Sequence, residues 1–239
     1  MPAPSNFDAG LREKSEAVAA DLSSGSEVLL VAFGGFAGGI GIPPFEFFRV
    51  ASGLEVRRVF VRDLNQAAYH RDLPGMPGGI DGIVRYLKRV ISEHHIRRTV
   101  IAGNSLGGYA ALLVGSLLGA DKVLAFSPYT FIGPVARLLN GDTRVARVAI
   151  RALLSRSARW RYFDLAGVYA SGENPHECEI YYCDRGTQGR LDGLHAARMA
   201  RFPGVHLHIR NEGGHDLVRH LRNAGELSDI LRAAMRHTE

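Results

Sequence analysis

RTVIAGNSLGGYAALLVGSLL, residues 98–118, is the stretch on which the reading of this chain turns. Val100, Ile101 and Ala102 form a short apolar run without polar alternation, the pattern of a strand buried on both faces of a parallel sheet. The chain then breaks at Gly103-Asn104-Ser105-Leu106-Gly107-Gly108, and from Tyr109 onward alanine and leucine recur at helical density. A strand that turns directly into a helix holds the residue at the turn in a strained conformation, its side chain clear of the sheet. That residue is Ser105. Positions two before and two after it must be small because strand and helix approach too closely for a Cβ, and Gly103 and Gly107 meet that need.

The G-x-S-x-G pattern is short, so its context decides between readings. One alternative is a glycine-rich turn carrying a solvated serine. A phosphate-binding turn of the dinucleotide type would need G-x-G-x-x-G, which is absent here. An apolar strand before the turn and an Ala/Leu helix after it favour a nucleophile elbow with Ser105 at its apex.

Working outward, 239 residues fit one large α/β domain and are too few for two with generous cores. Hydrophobic residues make up 46% of the chain, and no stretch approaches the ~20 uninterrupted apolar residues that a membrane span requires. The first residues, MPAPSNFDAGLREKSEA, lack a basic region followed by an apolar core, so a cytoplasmic protein is expected. Cys178 and Cys183 lie five apart on one expected strand, point to opposite faces and are read as reduced core thiols. The net charge of +5 raises a nucleic-acid partner, but the arginines are scattered and no aromatic-basic module accompanies them, so none is expected.

Taken in order, Leu11–Leu22 reads as an opening helix capped by Asp8. Val28–Phe33 is a second buried parallel strand, and it empties into Gly34-Gly35-Phe36-Ala37-Gly38-Gly39. A phosphate cradle there would need a helix starting at once. Ile40-Gly41-Ile42-Pro43-Pro44 intervenes before a possible short helix at Phe45–Val50, so backbone amides offered to a developing oxyanion are the better reading. Glu55–Val61 is a strand, and the stretch from Arg62 to Gly79 is a loop. Ile80, Ile83, Val84, Leu87, Val90 and Ile91 repeat at three and four, which predicts a helix over Gly79–His94. Strands follow at Lys122–Phe126, Ile180–Cys183 and Val205–Ile209, with helices at Leu191–Arg201 and from Asp216 to His237. About six strands alternate with helices, which implies a parallel sheet with right-handed crossovers between two helix layers.

Strand, glycine-rich turn, G-N-S-L-G-G elbow and the late Gly213-Gly214-His215 together resemble the α/β-hydrolase superfamily over nearly the whole chain. The resemblance implies a three-layer sandwich in one domain, residues 1–239, and a nucleophile, acid and base in the order Ser, Asp, His. Ser105 is the nucleophile candidate. His215, on a Gly-flanked loop past the last strand, is the base candidate among ten histidines. Two residues compete as acid: Asp184, preferred because it leaves a strand end, and Asp192, which could instead cap a helix. The family often carries His-Gly where this chain has Gly34-Gly35, so Phe36 and Leu106 would supply the two oxyanion amides. His206 and His208 form an H-x-H pair that no carboxylate or cysteine joins at ligand spacing, so neither metal nor cofactor is expected.

The resemblance implies a serine hydrolase acting on a small-molecule ester or thioester through an acyl-enzyme. An acyltransferase using the same triad with a sugar or alcohol acceptor, and a non-catalytic binding module with an idle serine, stay open. So do the substrate and the oligomeric state. The interval 128–177 reads as a helical lid inserted into the domain, with Arg137, Arg144, Arg147, Arg151, Arg156, Arg159 and Arg161 on amphipathic helices. Its basic face either meets solvent, the preferred reading, or steers acidic substrates.

Overall fold

The computed structural model describes residues 16–35, 47–172, 174–175 and 177–236. Its elements in chain order begin with β1 (Val18–Asp21), β2 (Val28–Phe33), α1 (Phe48–Ala51), β3 (Arg57–Val61), α2 (Gly79–Glu93) and β4 (Arg98–Asn104). There follow α3 (Leu106–Leu118), β5 (Lys122–Phe126), α4 (Pro134–Asn140), α5 (Ala146–Leu153), a 3₁₀ turn at Trp160–Phe163 and α6 (Leu165–Ser171). The chain closes with β6 (Glu177–Cys183), α7 (Gly189–Met199), β7 (Val205–Arg210), α8 (Leu217–Asn223) and α9 (Glu226–Met235).

The strands form one sheet in the order β1-β3-β2-β4-β5-β6-β7, with β1 antiparallel to β3 and every other pairing parallel. Alternate residues of β2 feed two cores: Leu29, Val31 and Phe33 pack under α2 and α3, while Leu30 and Ala32 pack under α1, α8 and α9. That is the three-layer α/β sandwich the sequence predicts. All seven residues of β4 are buried, in keeping with the near-continuous apolar run of a strand covered on both faces.

Two expectations are corrected. Among the described residues there are seven strands, because Val18–Asp21 is a strand where the sequence suggests the end of a helix from Leu11; residues 11–15 lie outside the described residues. Ala-rich segments favour helix locally, but β3 offers an open edge, and the ladder Val18↔Val61 to Asp21↔Arg58 satisfies backbone groups that edge would otherwise expose. The expected last helix is two, α8 and α9, broken at Gly225, whose φ of 80° is the left-handed conformation that ends a helix. Cys178 and Cys183 are buried free thiols on β6.

Candidate active site

The site forms where β4 gives way to α3. Ser105 sits between them at φ 54°, ψ −116°, a conformation that strains any residue bearing a Cβ. Its amide donates to the Phe126 carbonyl at 2.9 Å, and its own carbonyl accepts from the Tyr109 amide at 3.0 Å, so backbone on both sides over-determines the turn. The flanking glycines are sterically required: a Cβ on Gly103 would lie 2.1 Å from the Gly107 carbonyl oxygen, and one on Gly107 would lie 2.3 Å from that of Phe33. The close approach of α3 to β2 and β4 therefore depends on both.

Ser105 Oγ donates to His215 Nε2 at 3.0 Å. His215 comes from the Gly214–Asp216 3₁₀ turn after β7, where Gly213 and Gly214 carry φ values of 98° and 55°. Its Nδ1–H points at both carboxylate oxygens of Asp192, each at 3.0 Å. An imidazole that donates from Nδ1 keeps the Nε2 lone pair for the serine hydroxyl. Asp192 is fully buried, whereas His215 is 23% exposed at its side chain. Ser105 and His215 line a cavity of about 950 Å³ together with Gly35, Leu106, Tyr129 and Arg147, and Asp192 lies buried behind His215.

Of the two candidate acids, the geometry brings Asp192 and not Asp184 to His215. Asp184, just past the end of β6, is exposed. Asp192 instead opens the buried stripe of α7, Asp192, His195, Ala196 and Met199, spaced at three and four. A carboxylate inside an otherwise buried stripe was the available signal for it in the sequence.

Behind Asp192 lies a charged cluster that sequence reasoning missed. Arg144, on the loop between α4 and α5, donates through Nη1 to Asp192 at 2.6 Å and through Nε and Nη2 to Asp142 at 3.0 and 2.9 Å. Its guanidinium lies 4.8 Å over the Tyr129 ring. Asp142 accepts in turn from His195 Nε2 at 2.9 Å, while His195 Nδ1 accepts from the Thr130 amide at 2.9 Å, which fixes a neutral tautomer. Burial pushes the Asp142 carboxyl up, but the bonds from His195 and Arg144 outweigh it and hold the acid far below its usual range. Arg144 is thus an interior ion-pair partner rather than part of a solvated basic face. Arg147 and Arg151 are exposed at the cavity.

Leu106 is the first residue of α3, where a helix leaves its amide without an internal acceptor. Phe36, the other expected oxyanion donor, lies outside the described residues. His206 and His208 are on β7, where His208 stacks on Tyr181 at 4.4 Å. Among the described residues no three His, Cys, Asp or Glu side chains converge as metal ligands, and no helix is long and apolar enough to cross a membrane.

No protein-family model matches the sequence, and no curated protein matches it significantly. Solved structures do. A glycosylation-associated protein complex of Streptococcus agalactiae superposes with a TM-score of 0.60 at 16% identity, over 92% of this chain, which spans only 44% of that one. An inhibited esterase B from Lactobacillus rhamnosis superposes at 0.60 with 14% identity, over 92% of this chain and 81% of its own. A capsule O-acetyltransferase of Neisseria meningitidis serogroup A superposes at 0.62 with 12% identity, over 90% of each chain. With the elbow and the seven-stranded sheet, these likenesses define the class: the chain has the α/β-hydrolase fold.

Proposed function

We propose that this protein is a serine hydrolase that cleaves a small-molecule carboxylic ester or thioester through an acyl-enzyme. The observation that carries the reading is the continuous hydrogen-bond chain Ser105–His215–Asp192 at the wall of a cavity large enough for a small acyl substrate. Ser105 Oγ attacks the acyl carbonyl while His215 Nε2 takes its proton, and Asp192 steadies the resulting imidazolium through Nδ1–H. The oxyanion meets the amides of Leu106 and Phe36. His215 then protonates the departing alcohol or thiol, and water attacks the acyl-enzyme with the same histidine as base. Segment 128–177 acts as the lid in this reading, contributing Tyr129 and Arg147 to the cavity.

The likeness to an O-acetyltransferase favours a second reading, in which a sugar or alcohol hydroxyl replaces water in the last step. The chemistry up to the acyl-enzyme is the same. A fluorophosphonate probe tests both, since only an activated serine reacts rapidly. Wild type should label and turn over short acyl esters; Ser105→Ala should do neither while melting within about 2 °C of wild type. A wild-type protein that stays unlabelled would leave the fold as a binding module. Faster acyl release on adding a polyol, with an acylated polyol as product, would move the reading to the transferase.

A further inference from the structure

Six of the eight large apolar side chains that stand exposed among the described residues fall between residues 135 and 160: Val135, Leu138, Leu139, Ile150, Leu154 and Trp160, from 56% to 83% exposed. Leaving so many on one inserted segment opposes the hydrophobic effect unless something covers them. The whole of α4 has no buried residue, and its Val135, Leu138 and Leu139 form an outward stripe at three and four. On α5, Val148, Ala149 and Ala152 face the core, while Arg147, Ile150, Arg151 and Leu154 make an outer stripe at the same spacing that alternates guanidinium and apolar groups. The pieces adjoin. Trp160 packs on Phe163 at 5.7 Å between ring centres, and the Phe163 carbonyl accepts from the amides of Ile132 and Gly133 where α4 begins.

The charge of this face selects its partner. Residues 134–161 hold seven arginines against a single acidic residue, Asp142, and six of the seven remain once the inward-facing Arg144 is set aside. Asp142 is spent on Arg144 and His195. Of the acidic groups at its border, Asp81 pairs with Arg159, Asp164 with Arg198, and Asp72 accepts from Ser157. Arg147, Arg151 and Arg156 have no carboxylate within ion-pair distance among the described residues.

We propose that the outer face of α4, α5 and the Trp160 turn docks on an anionic lipid bilayer. A second copy of the chain would bring two strongly positive faces together and repel. A bilayer suits the interleaving: leucine, isoleucine and tryptophan enter the boundary between headgroups and acyl chains, while arginine stems reach back to lipid phosphates. The face adjoins the cavity through Arg147 and Arg151.

Trp160 is the only tryptophan in the chain, so its emission reports the face without any label. Titration with phosphatidylcholine vesicles containing phosphatidylserine should shift that emission to the blue, with an affinity that falls as salt rises; pure phosphatidylcholine should produce no shift. Leu138→Ser with Leu139→Ser should weaken binding about tenfold or more, and Arg156→Gln about fivefold. Both variants change exposed side chains and should keep the wild-type melting temperature. Emission that ignores anionic vesicles would overturn the proposal, and so would an equal shift with polyglutamate, which would mark an acidic protein as partner. Shielding of Trp160 from acrylamide in the free protein would also overturn it: at all concentrations it means the chain covers its own face, and only at high concentration it means a second copy does.

Discussion

Ser105 carries a backbone strain of roughly 1–3 kcal/mol, and the surrounding hydrogen bonds and glycine contacts keep it from relaxing. The return on that strain is position: Oγ stands at the carboxyl edge of the sheet within 3.0 Å of His215 Nε2. Asp192 is equally constrained, because its buried carboxylate is shared between His215 and Arg144. If Asp192 holds the imidazole in its reactive tautomer, Asp192→Asn should lower kcat for short esters on the order of 10³–10⁴-fold. Asp184→Asn, at an exposed site without a contact to His215, should stay within about twofold of wild type. Steady-state kinetics on the two purified variants checks the ranking, and a larger loss at Asp184 would reverse the assignment.

At the scale of elements, Arg144 ties the loop between α4 and α5 to α7. It reaches from the α4–α5 loop to Asp192 on α7 and to Asp142 on its own loop, with 14% of its side chain exposed. Burial opposes its charge, yet the bonds to Asp142 and Asp192 raise its pKa above the usual arginine value, so it stays cationic. Removing one partner of a buried pair leaves the others uncompensated, at a cost of about 3 kcal/mol or more. Arg144→Gln should therefore melt roughly 10 °C below wild type. Arg144→Lys should recover only part of that loss, because one ammonium cannot reproduce three bonds from a fork. Differential scanning fluorimetry reads both, and a melting point for Arg144→Gln equal to wild type would remove the tie.

Across the whole molecule, buried neutral histidines set the response to acid. His70, on the loop before α2, is buried against Phe163 and bonded through Nε2 to the Tyr109 hydroxyl, and burial lowers its pKa to about 4 from 6.5. His195 is lowered in the same direction, again chiefly by burial. The unfolded chain takes up these protons near pH 6.5 and the native state resists, so stability is full above that pH and falls progressively toward pH 4. His70 alone accounts for roughly 3 kcal/mol at the acid end. Melting temperature followed from pH 7 to pH 4.5 should drop less steeply in His70→Gln than in wild type. Parallel curves would exclude His70 as an acid trigger.

What residues alone determined here was local and periodic. The alternation of apolar runs with helical stripes prescribed the parallel sheet and its two helix layers, because each burial pattern has one compatible period. Gly103-Asn104-Ser105-Leu106-Gly107 prescribed the elbow, since only glycine permits that approach of strand and helix. The loop Gly213-Gly214-His215 nominated the histidine by its place at a strand's carboxyl end. The tertiary structure decided what depends on partners distant in sequence. Val18–Asp21 is a strand because β3 had an edge to offer, 37 residues beyond Asp21 at Arg58. Asp192 rather than Asp184 faces His215 because Asp192 lies in the buried stripe of α7, while Asp184 stands exposed just past β6. Arg144 separated itself from its neighbouring arginines only when folding brought Asp142 and Asp192 within reach, a charge pairing across 48 residues that no local pattern encodes.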